Sequence, residues 1–234
     1  MTPELLQRMY LDLTTPHVAD ACMRLDIPLR CAPSGLRPLW GGTHLVGRVR
    51  PARHFGSVDV FLGAINCAAP GDVMVVDNGG RIDEACVGDL VTLEASRAAL
   101  AGIVIWGLHR DSAELKEIRL PIFSLGAFPA GPQRLDPPDL VFHSVSCGQH
   151  IITDEDFVLA DDDGVIFIPL DHAEEIAEVA ATIRDTERRQ AARMKVGATF
   201  RIQSRFDEYV DARRHDAALT FRQHLRMFGG EIEE

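Results

Sequence analysis

Residues 102–111, Gly102-Ile103-Val104-Ile105-Trp106-Gly107-Leu108-His109-Arg110-Asp111, decide how this 234-residue chain is read. The apolar run Gly102–Trp106 is short and bounded by glycine, which is the mark of a buried strand. Asp111 to Ile118 follows as a short helix. Upstream, Pro70-Gly71 makes a turn and Asp72–Asp77 (DVMVVD) is a second apolar strand. It is followed by the loop Asn78-Gly79-Gly80-Arg81. From Gly88 to Leu100 the positions Leu90, Leu93, Glu94, Arg97 and Leu100 recur at helical spacing. Downstream, Pro121–Leu125 is a third strand. Strands alternating with helices at this spacing predict right-handed crossovers and a parallel or mixed sheet.

Outward from this centre the pattern continues in both directions. Thr2-Pro3-Glu4 and Thr15-Pro16-His17 each place a threonine N-cap before a proline, and the second helix is expected to run to about Leu25. His44–Arg50 reads as a strand, and Ser57–Ala68 as a helix. Beyond Gly126–Pro132, the stretches Leu140–Ser146, Phe157–Ala160 and Val165–Pro169 read as shorter strands. Their Asp-rich connections, including Asp161-Asp162-Asp163-Gly164, suggest a second, antiparallel layer. A helix from His172 to Val196 and a helical tail from Arg201 to Phe228 complete the chain. The expectation is one α/β/β/α domain over residues 1–200, with residues 201–234 as a helical C-terminal extension able to reach a neighbouring subunit.

Composition excludes several functions. With 24 Lys+Arg against 35 Asp+Glu the net charge is -11. Such a surface opposes nucleic acid, whose binding depends on neutralising phosphates. It also repels dianionic small molecules at long range, so a site for one needs its own local cations. Only two of the cationic residues are lysines, Lys116 and Lys195. Both sit in charged helical stretches, unlike the desolvated amine that imine chemistry requires. Carbonyl chemistry here is therefore expected to use a metal. The five cysteines show neither metal-ligand nor disulfide spacing, and buried thiols are expected. The N-terminus lacks the apolar run of a secretory signal, and no stretch approaches the roughly 20 apolar residues that span a bilayer. A soluble, cytoplasmic protein is expected.

The chemistry concentrates at two helix starts. Gly88-Asp89-Leu90-Val91 opens one helix, whose free N–H groups can cradle an anionic oxygen. Arg110 offers a planar fork for a carboxylate. Asp111 offers a hard oxygen for Mg²⁺ or Mn²⁺. Each has a plainer reading: Asp111 as an N-cap, Arg110 as a surface charge, Asp89 as a complement to the helix N-terminus. His54 and His109 are lone histidines without ligand spacing and read as structural. Asp161-Asp162-Asp163-Gly164 lacks the acidic twelfth position of a calcium loop and reads as a solvated turn.

Taken together, Gly71–Asp77 with Gly80, Gly88-Asp89-Leu90, Gly102-Ile103-Val104 with Gly107, Arg110 and Asp111, and Pro121-Ile122-Phe123 resemble one family. It includes regulator of ribonuclease E activity A and the 4-hydroxy-4-methyl-2-oxoglutarate aldolases. Val18-Ala19-Asp20-Ala21 resembles the family's opening helix. The resemblance implies a swivelling α/β/β/α fold, assembled as a homotrimer or homohexamer with sites between subunits. It implies a metal-dependent pyruvate aldolase, often also an oxaloacetate decarboxylase, working through a metal-stabilised pyruvate enolate. The N–H groups of Gly88 to Val91 would then bind pyruvyl oxygens and Arg110 the carboxylate. Asp111 would ligate the metal, Asp89 would hold a metal-bound water, and Glu187 would come from a neighbouring subunit. The family usually has Asp where this chain has Trp106. The alternative within the same resemblance is a non-catalytic binding protein of the ribonuclease-regulator type.

Overall fold

The computed structural model describes residues 1–132 and 142–228. The chain divides into two compact units, Met1–Ala177 and Glu178–Glu234. In chain order the elements are α1 (Pro3–Tyr10), α2 (Thr15–Arg24), β1 (Arg37–Pro38), β2 (Leu45–Arg53), α3 (Asp59–Asn66), β3 (Val73–Asp77), β4 (Ala85–Val87) and α4 (Asp89–Arg97). There follow β5 (Gly102–Trp106), β6 (Leu108–His109), α5 (Ser112–Ile118), β7 (Ile122–Ser124), β8 (Ser144–Cys147), β9 (His150–Thr153), β10 (Asp156–Asp161) and β11 (Gly164–Pro169). A 3₁₀ turn at Leu170–His172 leads into α6 (Ala173–Lys195), then α7 (Phe200–Gln203), α8 (Phe206–His215) and α9 (Phe221–Arg226).

Among the described residues a seven-stranded mixed sheet runs β1-β7-β5-β3-β2-β10-β11. Its centre, β2-β3-β5-β7, is parallel, with Val75 opposite Val104 and Val104 opposite Phe123. The apolar runs are continuous because both faces are covered. Met74, Val76, Ile103 and Ile105 pack with residues of α3, α4 and α5. Val73, Val75 and Val104 pack on the other face with Val145, Ile152 and Phe167. Alternate residues of a strand point to opposite faces, so one five-residue run serves both cores. Burying each such aliphatic side chain stabilises the fold by about 1.5–3 kcal/mol.

Three expectations are corrected. The antiparallel strands do not form a separate layer: β10 pairs with β2 and β11 extends the same sheet, while β8 and β9 make a hairpin of their own. The expected strand at Leu140–Ser146 begins at Ser144 within the described residues, and Leu140 and Val141 lie outside them. The cap of α2 is Thr14, not Thr15, and its N–H donates to His17 Nδ1 at 3.1 Å. Thr15 is displaced into the helix because Asp161 holds it. The Asp161 carboxylate accepts the Thr15 N–H at 2.7 Å and its hydroxyl at 2.6 Å. Asp162, exposed like Asp163, accepts the Gly42 N–H at 2.9 Å, so the solvated Asp-rich turn also ties two segments together.

The C-terminal unit is helical, as expected, but broken. Arg205 adopts a left-handed conformation (φ 47°) between α7 and α8, and Thr220 starts α9 with a capping box through Gln223. Phe206, Tyr209 and Phe221 stack edge-on around the buried His224, which bonds the Ser204 carbonyl at 2.9 Å. Three of the cysteines are buried as expected, whereas Cys31 and Cys67 are exposed. No helix among the described residues is long and apolar enough to cross a membrane.

Candidate active site

A two-stranded parallel ribbon, β4 against β6, builds the site. Neither strand is legible in the sequence, since each is two or three residues long. The ribbon sets Ala85 opposite Leu108 and Val87 opposite His109. The Arg110 N–H then donates to the Val87 carbonyl at 2.9 Å. This pairing brings the Gly88 start of α4 beside the Arg110-Asp111 start of α5. His109 anchors the corner from beneath. It is buried, with Nδ1 2.7 Å from Ser124 Oγ and Nε2 3.0 Å from Ser112 Oγ. Burial, with a smaller contribution from Lys116, pushes its pKa below the usual histidine value. The ring is a neutral brace, not a ligand.

Asp111 is not an ordinary N-cap. Its backbone is left-handed (φ 60°, ψ 42°), and its side chain makes no capping bond to α5. A non-glycine residue in this region is strained, and such strain gathers at functional sites. Asp111 Oδ2 instead accepts the Asp89 N–H at 3.3 Å, capping α4 from outside, and lies 3.5 Å from Arg110 Nε. The approach is close enough to demand glycine at position 88. A Cβ there would lie 2.4 Å from Asp111 Oδ2 and 3.2 Å from Arg110 Nε. At Gly131 the constraint is milder, since a Cβ would meet only the flexible tip of Arg110, Nη1, at 2.9 Å.

The result is a cleft of about 110 Å³ lined by Gly88, Asp89, Leu90, Val91 and Arg110, with His54, Cys86 and Pro132 among its walls. Asp111 stands against it through Gly88 and Arg110. Of the candidate residues, only Glu187 belongs to another part of the chain: it is half-buried on α6, in the C-terminal unit. As cleft walls, Cys86 and Pro132 escaped sequence reasoning, and His54 was read only as structural. His54 was legible only as a lone histidine after a strand. Its Nδ1 lies 2.9 Å from Asn78 Oδ1, and its ring stacks on Phe61 at 5.4 Å. Burial of Cys86 raises its thiol pKa, so it is an apolar wall rather than a nucleophile. Trp106 lies over Gly80, where a Cβ would meet the indole at 2.5 Å, and its carbonyl accepts the Asn78 and Gly80 N–H groups at 3.1 Å.

Among the described residues no group of three or more His, Cys, Asp or Glu side chains converges as a metal cage. The donor set nevertheless fits a hydrated hard cation. Mg²⁺ and Mn²⁺ are held by one or two carboxylates while keeping several waters. Asp111, one-third exposed and freed from capping its own helix, could supply one such carboxylate. Asp89, whose Oδ1 accepts the Leu90 N–H at 2.8 Å, opens the neighbouring helix α4 and could reach the same cation through a water.

A parallel-centred sheet that carries a glycine-opened helix start beside an Arg-Asp pair defines the chain as an α/β protein. The chain belongs to the RraA-like family (Aldolase/RraA), whose sequence pattern matches residues 15–167. It is 29% identical over 142 residues to the 4-hydroxy-4-methyl-2-oxoglutarate aldolase of Thermus thermophilus, covering 58% of this chain and 83% of the relative. It is 33% identical over 212 residues to Protein DlpA of Legionella pneumophila, covering 84% of this chain and 32% of that protein, so it spans about a third of DlpA. Its fold is similar to that of Streptomyces coelicolor RraAS2, described as an unusual member of the RNase ES inhibitor RraA protein family. The TM-score is 0.71 at 28% identity, over 81% of this chain and 97% of that one.

Proposed function

We propose that this chain is a carbon–carbon lyase acting on a 2-keto acid with Mg²⁺ or Mn²⁺: a pyruvate aldolase, an oxaloacetate decarboxylase, or both. The observation that carries the reading is Asp111, held in a left-handed backbone with its carboxylate turned away from its own helix toward Arg110 and the start of α4. The similarity to a 4-hydroxy-4-methyl-2-oxoglutarate aldolase supports it.

Arg110 takes the substrate carboxylate through its planar fork. The N–H groups at Gly88 to Val91 receive the adjacent keto oxygen, where the dipole of α4 favours negative charge. Asp111 and, through water, Asp89 hold the cation. Held there, the cation would supply Lewis acidity at the pyruvyl oxygen. The walls at Val91, Cys86 and His54 limit water around the reacting carbons. Glu187 from a second copy completes the carboxylate set in a homotrimer or homohexamer, in the cytoplasm.

Pyruvate release should be assayed across a panel of 2-keto acids, with and without Mg²⁺ or Mn²⁺. Asp111→Ala is expected to lower kcat/KM by about 100-fold or more, corresponding to about 3 kcal/mol of transition-state stabilisation. Borohydride should leave turnover intact. Full activity in EDTA, or in Asp111→Ala, would sink the proposal. The likeness to RraAS2 favours a second reading, a binding protein acting on a basic partner, to which a charge of -11 is suited. Stoichiometric capture of a ribonuclease without metal-dependent turnover would put that reading first.

A further inference from the structure

His54 stands between the cleft and a second cavity of about 370 Å³, and it lines both. The second cavity sits where β2 and β3 end, and its walls include Arg53, Asp77, Asn78 and Arg81. We propose that His54 is the proton-transfer residue of the cleft, giving a proton through Nε2 to C3 of the pyruvate enolate and, in reverse, removing it. The inference rests on the 2-keto-acid reading and adds a catalytic residue to it.

The ionisable walls of the cleft narrow the choice. Besides His54, the described lining holds Asp89, Cys86 and Arg110. Arginine keeps its charge at any working pH. Burial raises the Cys86 thiol pKa, with a smaller push from Glu84, so the thiol holds its proton as well. Asp89 is committed to the cation through water. Imidazole is the side chain whose charge changes in the neutral range. The other buried histidine of this corner, His109, has both ring nitrogens on serine hydroxyls.

The ring of His54 is also held as a general acid or base must be. Its backbone N–H donates to the Asp77 carbonyl at 2.9 Å, and its face stacks on Phe61 with the planes 4° from parallel. Nδ1 lies 2.9 Å from Asn78 Oδ1, an acceptor, which assigns the hydrogen to Nδ1 and the basic electron pair to Nε2. Asn78 lines the second cavity and not the cleft, so this bond turns the Nδ1 edge away from the substrate. Asn78 is itself pinned, its N–H donating to the Trp106 carbonyl at 3.1 Å. The Glu84 carboxylate, 3.9 Å from Nδ1 and 3.4 Å from Arg81 Nε, favours the imidazolium when it forms. Arg53 and Asp77 flank the ring on the side of the second cavity, Asp89 and Arg110 on the side of the cleft. In aldol cleavage Nε2 takes the 4-hydroxyl proton as the C3–C4 bond breaks and its electron pair passes to the enolate. The Nε2–H bond then breaks as the C3–H bond forms, and C2 regains its carbonyl. In decarboxylation the electron pair comes from the bond to the departing carbon dioxide, and solvent supplies the proton to Nε2.

Exchange of the pyruvate methyl protons into D₂O by the full chain with Mg²⁺, followed by proton NMR, separates this transfer from carbon–carbon cleavage. His54→Gln is expected to slow exchange about 100-fold, the worth of one general acid–base group. Pyruvate affinity by titration calorimetry is expected to change by less than about twofold. The wild-type exchange rate should fall toward low pH as the ring takes up a proton. Asn78→Asp sets a carboxylate against Nδ1–H, which favours the imidazolium and should move that fall up by about one pH unit. The swap removes only the amide Nδ2, which has no partner among the described residues, so no hydrogen bond of the fold is lost. A merely structural histidine would leave the position of that fall unchanged. Should His54→Gln melt early, the Asn78→Asp profile decides by itself. Exchange in His54→Gln within about threefold of wild type, or an unmoved profile in Asn78→Asp, would overturn the assignment while leaving the 2-keto-acid reading in place. Wild-type protein that neither binds nor exchanges pyruvate with Mg²⁺ would overturn the assignment and that reading together.

Discussion

Position 88 tests the active-site corner most directly. Gly88 has φ -130°, which any residue adopts, so alanine there brings no backbone strain. What it brings is a methyl group 2.4 Å from the Asp111 carboxylate. Gly88→Ala is therefore expected to fold normally and to lose about 100-fold in kcat/KM, the scale of a misplacement near 1 Å. Steady-state kinetics beside a thermal melt would separate the two effects. His109 makes a second residue-scale prediction, about pH. Its folded pKa lies below its unfolded value, so the unfolded chain binds the proton more readily. The stability associated with the neutral ring is thus present above the unfolded pKa of about 6.5 and declines as pH falls below it. Urea midpoints should drop between pH 7.5 and 5.5, and less so in His109→Gln. Equal slopes for both proteins would rule out the brace.

Among elements, the antiparallel hairpin β10–β11 and the helix α2 depend on one buried carboxylate. Asp161 receives two hydrogen bonds from Thr15 and a third from the Asp163 N–H at 3.0 Å. Asp161→Ala would leave the Thr15 N–H unsatisfied in a buried position, costing about 2 kcal/mol, read as a lower urea midpoint at unchanged m. The elements also show which patterns were legible. β3 and β5 are long enough for apolar runs to declare them, and their helices repeat at 3.6 residues. The ribbon of β4 and β6 has no such period. Its formation depends on where residues 85 and 108 are carried by the strands before them, which no local pattern encodes.

For the molecule as a whole, charge remains the broadest constraint. At -11, the chain is expected to show no saturable binding of a labelled single-stranded RNA in about 150 mM salt by fluorescence anisotropy. Salt-sensitive binding under those conditions would contradict this reading. Within the sequence itself lay the parallel centre of the sheet, the Gly88 and Arg110-Asp111 helix starts, the acidic balance and the resemblance to the RraA-like family, because each is a local pattern or a composition. Only tertiary structure decided that β10 and β11 extend the main sheet and that Thr14 caps α2. It alone brought His54 into the cleft and placed Arg53 and Arg81 in the cavity alongside. The physical reason is common to all of these. Period and propensity act over a turn of helix or a run of strand. The meeting of residues 20 to 150 positions apart depends instead on how buried strands pair.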